Sequence, residues 1–364
     1  MSAIGGRPYL IAAGGTGGHM FPALALANEL IDRGLRVLLV TDARGARFLD
    51  QQLPHRLIQA GSPSGGIATR ITGALRLAFG LLQSLAINIR HRPLAGACFG
   101  GYPSIPPGLA MALMRVPFLL HEQNALLGKA NRILARYARK VALTFEPTEK
   151  TDAVMAERRL QTGNPVRPGF TLKTNGKPSD VFCVLILGGS QGARVFSDVV
   201  PEAIDAMTPE LRSRLKLTQQ CRPEDLERVK AAYASTGIEV ELATFFGDVA
   251  ERMAAADLII TRSGASTVTE ILALGRPSIL VPYAFAAEDH QRCNAERVAA
   301  EGAALTISQH DFDAVWLKER LETLIQAPSN LQSMAANAAA MAHPKAAERL
   351  ADTLTSLHLQ EVVS

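Results

Sequence analysis

Two glycine-rich turns constrain what this 364-residue chain can fold into more than any other feature. The first reads Gly14-Gly15-Thr16-Gly17-Gly18-His19, the second Gly188-Gly189-Ser190-Gln191-Gly192-Ala193. Each follows a short apolar run, Tyr9 to Ala13 or Val181 to Leu187, and each precedes a helix-like pattern. Apolar runs of this kind, bounded by glycine, read as buried parallel strands. Glycine at the handover lets backbone amides approach an anion, which the N-terminus of the next helix also favours. The pair predicts two Rossmann-like, doubly wound α/β halves facing one ligand.

The length exceeds what one core usually serves and favours two domains. With 48% hydrophobic and 20% charged residues, the chain reads as globular rather than disordered. The stretch from Met1 to Pro8 lacks the basic, apolar and small-residue segments of a signal peptide, which predicts a cytosolic protein. Four isolated cysteines make neither a C-x-x-C pair nor a disulfide framework, and Cys98 and Cys183 fall in strand-like runs as core residues.

Charge separates the halves. Residues 1–163 hold 19 Lys plus Arg against 9 Asp plus Glu, and the remainder 19 against 25. The excess predicts an anionic partner on the N-terminal side. Aromatic residues are only 5% of the chain and do not interleave with the basic ones, which argues against nucleic acid.

The stretch Ile71 to Arg92 favours an anionic membrane surface instead. At helical spacing Ile71, Leu75, Ala78, Phe79, Leu82, Ala86 and Ile89 form one stripe, read here as core-facing. Leu77 and Leu81 point nearly the opposite way, and Arg76, Gln83 and Arg90 make a narrow polar strip. Leu77, Leu81 and Arg76 are therefore the expected membrane contacts, with arginines at both ends meeting lipid phosphates. Arg76, Gln83 and Asn88 interrupt it as a transmembrane span. The alternative is a helix buried between sheet and neighbours.

Strand-like and helix-like runs alternate through both halves, with strands expected at 36–41, 96–99, 118–121, 141–144, 239–243, 258–261 and 278–282. The turn Gly163-Asn164-Pro165-Val166-Arg167-Pro168, followed by the polar residues 173–180, reads as a hinge. The expected domains are 1–163, with a C-terminal helix over 344–364 packing back on it, and 164–343.

In the second half, Asp257 to Glu270 reads as a strand, a turn at Arg262-Ser263-Gly264 and a helix whose first amides come from Ala265, Ser266 and Thr267. That is a pyrophosphate seat. Glu270 lies where a carboxylate can accept both hydroxyls of a ribose, which suits a UDP- or ADP-type diphosphate better than NADP. The competing reading is a capping box, with Ser266 or Thr267 as cap and Glu270 as its partner.

These motifs carry a resemblance. The first glycine turn with Phe21-Pro22, Gly100-Gly101-Tyr102, His121-Glu122-Gln123-Asn124, Gly163-Asn-Pro-Val-Arg167, the second glycine turn, Arg262 to Glu270 and Asp289-His290-Gln291 occur in the order and spacing of the MurG family. The match runs from residue 9 to about 345. It implies the GT-B glycosyltransferase fold, two Rossmann-like domains facing a cleft. It also implies an inverting hexosyltransferase of peptidoglycan synthesis: the donor is UDP-GlcNAc, the acceptor lipid I and the product lipid II. The implied place is the cytoplasmic face of the cell inner membrane, as a peripheral protein, with other cell-wall synthesis proteins as further partners. No cofactor is implied, UDP-GlcNAc being a substrate.

The resemblance also implies roles at matching positions. Ser190 and Arg167 correspond to diphosphate and nucleotide contacts, and Phe246 to the uracil site. Ala265, Ser266, Thr267, Val268, Thr269 and Glu270 correspond to the pyrophosphate and ribose seat. His290 and Gln291 face the donor sugar, as do Thr16, Gly17, Gly18 and Asn124 from the other domain. Gly15, Tyr102 and His121 fall on the acceptor side. Pro103 stands where the family pattern leads one to expect valine.

An α-linked donor and a β(1→4) product need one displacement and one general base. His19, which closes the first glycine turn, is the leading candidate, the alternative being a positional role at the acceptor pyrophosphate. Glu122 is the reserve base, unless it only orients His121 or Asn124. Asp311-Phe312-Asp313 precedes a helical run and reads as N-capping acids rather than a metal site. Three rivals remain: a UDP-N-acetylglucosamine 2-epimerase sharing Glu270, a membrane-recruited scaffold without turnover, and an oxidoreductase. The last is weakened because its expected ribose acid would be Asp42, inside a Thr-Asp-Ala-Arg turn.

Overall fold

Buried apolar runs form the inner strands of two separate parallel sheets. The computed structural model describes residues 6–49, 53–61, 66–152, 154–172, 180–189 and 192–362. The chain divides into two units, Met1–Arg167 with His343–Ser364, and Pro168–Ala342.

Unit 1 holds β1 (Tyr9–Ala12), β2 (Val37–Thr41), β3 (His55–Leu57), β4 (Gly96–Cys98), β5 (Phe118–Glu122), β6 (Lys140–Leu143) and β7 (Arg159–Gln161). They pair in the order β3-β2-β1-β4-β5-β6-β7, all parallel. Its helices are α1 (Gly17–Asp32), α2 (Ile67–His91), α3 (Ile105–Leu113) and α4 (Lys129–Ala135). Strands β1, β2, β4 and β5 are buried throughout because helices cover both faces of the sheet. The chain order reverses between β1 and β4, which opens the ligand-binding crevice of such a sheet at their carboxyl ends.

Unit 2 repeats the plan. Its strands are β8 (Phe182–Leu187), β9 (Leu215–Gln220), β10 (Glu239–Ala243), β11 (Leu258–Thr261), β12 (Ser278–Leu280) and β13 (Ala304–Thr306). They pair in the order β10-β9-β8-β11-β12-β13, with the reversal between β8 and β11. Around them lie α5 (Arg194–Asp205), α6 (Pro209–Arg212), α7 (Leu226–Tyr233), α8 (Val249–Ala255), α9 (Ala265–Leu274), α10 (His290–Ala300), α11 (Ala314–Gln326) and α12 (Pro328–Ala340). The chain then returns to unit 1 as α13 (Ala346–Val362). Its buried Leu350, Ala351, Leu354 and Leu357 share a core cluster with Met20, Ala23, Leu26, Ala27 and Leu30 of α1. Each buried leucine contributes roughly 1.5–3 kcal/mol, so this seam fixes the terminal helix on unit 1.

Four strands escape the sequence reading: β3, β7, β9 and β13. Three of these are three-residue edge strands, too short to show a period. The fourth, β9, carries Lys216 and Thr218 between its buried residues. Cys98 is buried, but Cys183 is only half-buried, which corrects its placement in the core.

Helix α2 reverses the expected orientation. Its buried residues are Gly73, Gly80, Ser84 and Asn88, while Leu77 and Leu81 are half-buried on that side. The stripe read as core-facing, with Ile71, Leu75, Phe79, Leu82 and Ile89, is the exposed one. Small residues decide the matter, because they let backbone approach backbone. A Cβ on Gly80 would overlap the Gln59 carbonyl oxygen and stand 3.2 Å from Pro106 Cγ of α3. Leu77 and Leu81 are thus contacts within unit 1, whereas Arg76 is exposed.

Candidate active site

The turns that follow β1 and β4 lie side by side at the chain reversal of unit 1: a Cβ on Gly101 would stand 3.2 Å from the Gly14 carbonyl oxygen. Thr16 stands at the N-cap position of α1 without a side-chain cap, the helix begins at Gly17 and Gly18, and His19 sits in its first turn. His19 Nδ1 is 3.2 Å from Thr16 Oγ1. The His19 ring packs on Gly100 and Gly101, its Cδ2 being 3.3 Å from a Cβ position on Gly100. Tyr102 follows directly, half-buried, in a single helical turn. Gly15, Thr16, Gly17, Gly18, His19 and Tyr102 therefore share one crevice rim.

Behind that rim the residues from His121 to Asn124 are a support. Glu122 is 2% exposed. Its Oε1 accepts from the Asn124 backbone N (3.0 Å) and Asn124 Nδ2 (3.0 Å). Its Oε2 accepts from Gly128 N (2.8 Å) and Asn131 Nδ2 (2.9 Å). A carboxylate with four donors inside the fold orients its loop and has no lone pair aimed at an acceptor hydroxyl, so the reserve-base role does not fit.

His121 is also fully buried. Its Nε2 donates to the Gly163 carbonyl (3.0 Å) and its Nδ1 accepts from Gln123 Nε2 (3.0 Å). Burial pushes its pKa down to about 4. It is a neutral strut between β5 and the chain at Gly163 rather than an acceptor contact. Arg167 belongs to unit 1, with its guanidinium 4.9 Å from the centroid of Phe21 on α1.

In unit 2, Gly188 directly follows β8, where a Cβ would collide with the backbone nitrogen of Ala193. Ser190 lies outside the described residues. After β11, Gly264 starts α9 with no side-chain cap, so a capping box is not formed. The first-turn amides of Ala265, Ser266 and Thr267 are left to solvent or ligand. Ser266 Oγ is buried and has no hydrogen-bond partner, which a bound oxygen would satisfy. Glu270 is buried in the same helix, as is Val268. Thr269 Oγ1 donates back to the carbonyls of Ala265 and Ser266, so Val268 and Thr269 serve the helix rather than presenting side chains.

Helix α10 is docked on this turn: Ser263 Oγ donates to the Gln291 carbonyl (2.8 Å), and Asn294 Nδ2 to the Ser263 carbonyl (3.0 Å). Gln291 Oε1 accepts from Tyr283 N (3.0 Å), which presents its Nε2 as a donor. His290 Nδ1 is 2.7 Å from the Ala287 carbonyl oxygen. Phe246 follows the edge strand β10, buried, with the Arg252 guanidinium 4.3 Å from its ring centroid.

Sequence reasoning placed Arg262 in this turn without a role; it ties the turn to the end of β12 through the carbonyls of Val281 and Pro282 and reaches Gln309 Oε1. Sequence reasoning missed Asn131, whose only sequence signal is its place in the helix after Gly128. The D-x-D acids are accounted for locally: Asp313 accepts from Trp316 N at the start of α11, and Asp311 from Ser308 Oγ. Among the described residues no cluster of His, Cys, Asp or Glu could hold a metal.

Residues 9–143 match the glycosyltransferase family 28 N-terminal domain and residues 183–350 its C-terminal domain. The UDP-N-acetylglucosamine--N-acetylmuramyl-(pentapeptide) pyrophosphoryl-undecaprenol N-acetylglucosamine transferase of Rhodospirillum centenum is 45% identical over 355 residues, covering 95% of this chain and 93% of its own. The crystal structure of Acinetobacter baumannii MurG superposes with a TM-score of 0.82 at 29% identity, covering 96% of this chain and 100% of that one. A UDP-GlcNAc 2-epimerase from Neisseria meningitidis reaches a TM-score of 0.70 at 13% identity, covering 96% and 100%, a likeness of fold alone. With 45% identity along nearly its whole length and this fold, the chain belongs to the MurG family of UDP-GlcNAc transferases and has the GT-B glycosyltransferase fold.

Proposed function

We propose that the chain works docked on an anionic membrane through helix α2, with His19 as general base, unit 1 as the acceptor side and unit 2 as the donor side. The transfer itself is that of the family: GlcNAc leaves UDP-GlcNAc for the 4-hydroxyl of MurNAc in lipid I, and lipid II forms. The acceptor oxygen attacks the anomeric carbon as the bond to the UDP oxygen breaks. The hydroxyl proton passes to His19 Nε2, the ring being oriented through Nδ1 by Thr16 Oγ1. The negative charge on departing UDP is met by the first amides of α9 and by Arg167. Glu270 holds the ribose, Phe246 the uracil side, and Gln291 Nε2 and His290 the sugar hydroxyls. Thr16, Gly17, Gly18 and Asn124 complete the sugar contacts.

One observation carries the membrane reading. Ile67, Ile71, Leu75, Phe79, Leu82 and Ile89 of α2 are each between 54% and 79% exposed, on the helix that is long and apolar enough to cross a membrane by length and composition. A contiguous apolar face of this kind marks an interaction surface, and Arg70, Arg76, Arg90 and Arg92 flank it with charge suited to anionic lipid. The lipid-linked acceptor supports the same reading, as does a cytosolic donor for a place on the cytoplasmic face of the inner membrane, beside other cell-wall synthesis proteins. Sedimentation with vesicles containing phosphatidylglycerol tests it. The Leu75→Glu, Phe79→Glu double variant is expected to stay in the supernatant yet glycosylate a soluble short-chain acceptor at the normal rate. Unchanged vesicle binding would remove α2 from the interface.

A further inference from the structure

Asp42 directly follows β2, where a dinucleotide-binding sheet keeps an acid for ribose hydroxyls, but its carboxylate is engaged elsewhere. Its Oδ1 accepts from Gly15 N (3.1 Å) and Gly45 N (2.9 Å), and its Oδ2 from Arg44 Nε (2.9 Å). Burial alone would raise the Asp42 pKa. The bonds from Gly45, Arg44 and Gly15 outweigh it and hold the group below the usual carboxylate range. The acid is therefore ionised and turned inward, and cannot clamp a ribose.

The outward partner is Arg44. Its side chain is 59% exposed, against 7% for Asp42. Its Nη2 and Cζ lie 3.6 and 3.9 Å from the position a Cβ on Gly15 would take, so the guanidinium covers the first glycine turn. Tethering at Nε leaves the Nη1/Nη2 edge for two-point recognition of phosphate oxygens. The buried carboxylate stands behind the guanidinium, so the face turned to solvent is positive.

We propose that Arg44, aimed by Asp42, binds the diphosphate of the lipid-linked acceptor. The proposal rests on the reading of unit 1 as the acceptor side. The UDP diphosphate is assigned to the α9 amides and Arg167, so the anion left for Arg44 is the acceptor's. Asp42 is the positioning residue: without its carboxylate, both the turn at Gly15 and the guanidinium lose their common tether.

The test uses the full chain with a short-prenyl lipid I analogue, varied at saturating UDP-GlcNAc and then the reverse. Arg44→Gln is expected to raise the acceptor KM at least tenfold and leave the donor KM within twofold. Arg44→Lys, which keeps charge but not the two-pronged edge, is expected to fall between and serves if the glutamine variant does not fold. Farnesyl diphosphate and farnesyl monophosphate are run as competitors against the acceptor. The wild type is expected to prefer the diphosphate, and Arg44→Gln to lose that preference. An unchanged acceptor KM, or a rise in the donor KM instead, overturns the proposal. So does an equal preference for diphosphate in wild type and variant. A wild type that farnesyl diphosphate does not inhibit overturns the acceptor-side reading and the proposal together.

Discussion

The two sheets share the order of their first six strands and one reversal point, yet their ligand-facing ends differ in chemistry. In unit 1 an amide of the glycine turn is already bonded to a buried carboxylate: Gly15 N donates to Asp42. The rim also carries two basic side chains, the His19 imidazole and the Arg44 guanidinium. In unit 2 the start of α9, like that of α1, has no side-chain cap, but its buried Ser266 hydroxyl has no partner. On the proposed reading one end moves a proton and holds an anion by side chains, and the other holds a diphosphate by backbone. The parallel sheet dictates where a ligand lands, and residues within a turn of that point decide which ligand it is.

The comparison can be broken at its chemical end first. His19→Ala should lower kcat by about 10²–10⁴, with little change in donor KM, when initial rates are measured at saturating acceptor. A loss confined to KM would make His19 a binding residue and unit 1 no more catalytic than unit 2. Glu270→Ala should do the opposite, raising the donor KM by roughly 10–100-fold through loss of hydrogen bonds to a charged group. Donor affinity that survives this change would take the ribose away from α9.

Two smaller effects sharpen the structural side of the contrast. His121 is held neutral with a pKa of about 4, below the ordinary histidine value. As pH falls below that ordinary value the unfolded chain binds a proton that the folded one refuses, so stability drops until pH reaches the folded value and then levels. The limb should be worth on the order of 3 kcal/mol, and urea unfolding of His121→Gln at a series of pH values should show it flattened. Asp42→Asn should cost about 1–3 kcal/mol, because one carboxylate oxygen becomes a donor facing a donor. Thermal melts above pH 5 would register it. The cost should vanish in strong acid, since a group with a depressed pKa gives up its contribution as pH falls through the folded value.

Legibility followed burial and backbone. The strands β1, β2, β4, β5, β8, β11 and β12 were readable because buried parallel strands are short continuous apolar runs. The edge strands β3, β7 and β13 were not, since three residues carry no pattern. Glycine turns mark the ligand end of each sheet because only glycine permits that backbone approach. What the residues from His121 to Asn124 do was hidden, because four of the partners of Glu122 and His121 come from Gly128, Asn131, Gly163 and Gln123, and partner identity is not written in residue type.

Helix α2 shows the division most clearly. Its sequence alone determines that the segment is helical, apolar on more than one side and edged with arginine. Which side faces inward was decided by fit: Gly73 and Gly80 let the neighbouring chain approach to backbone contact, and the large side chains were left outside. Hydrophobic periodicity measures how much apolar surface a helix carries, whereas docking depends on shape. The same holds at Asp42, where residue order fixes an acid at the end of a strand, and only the fold decides that the acid turns inward and an arginine faces out.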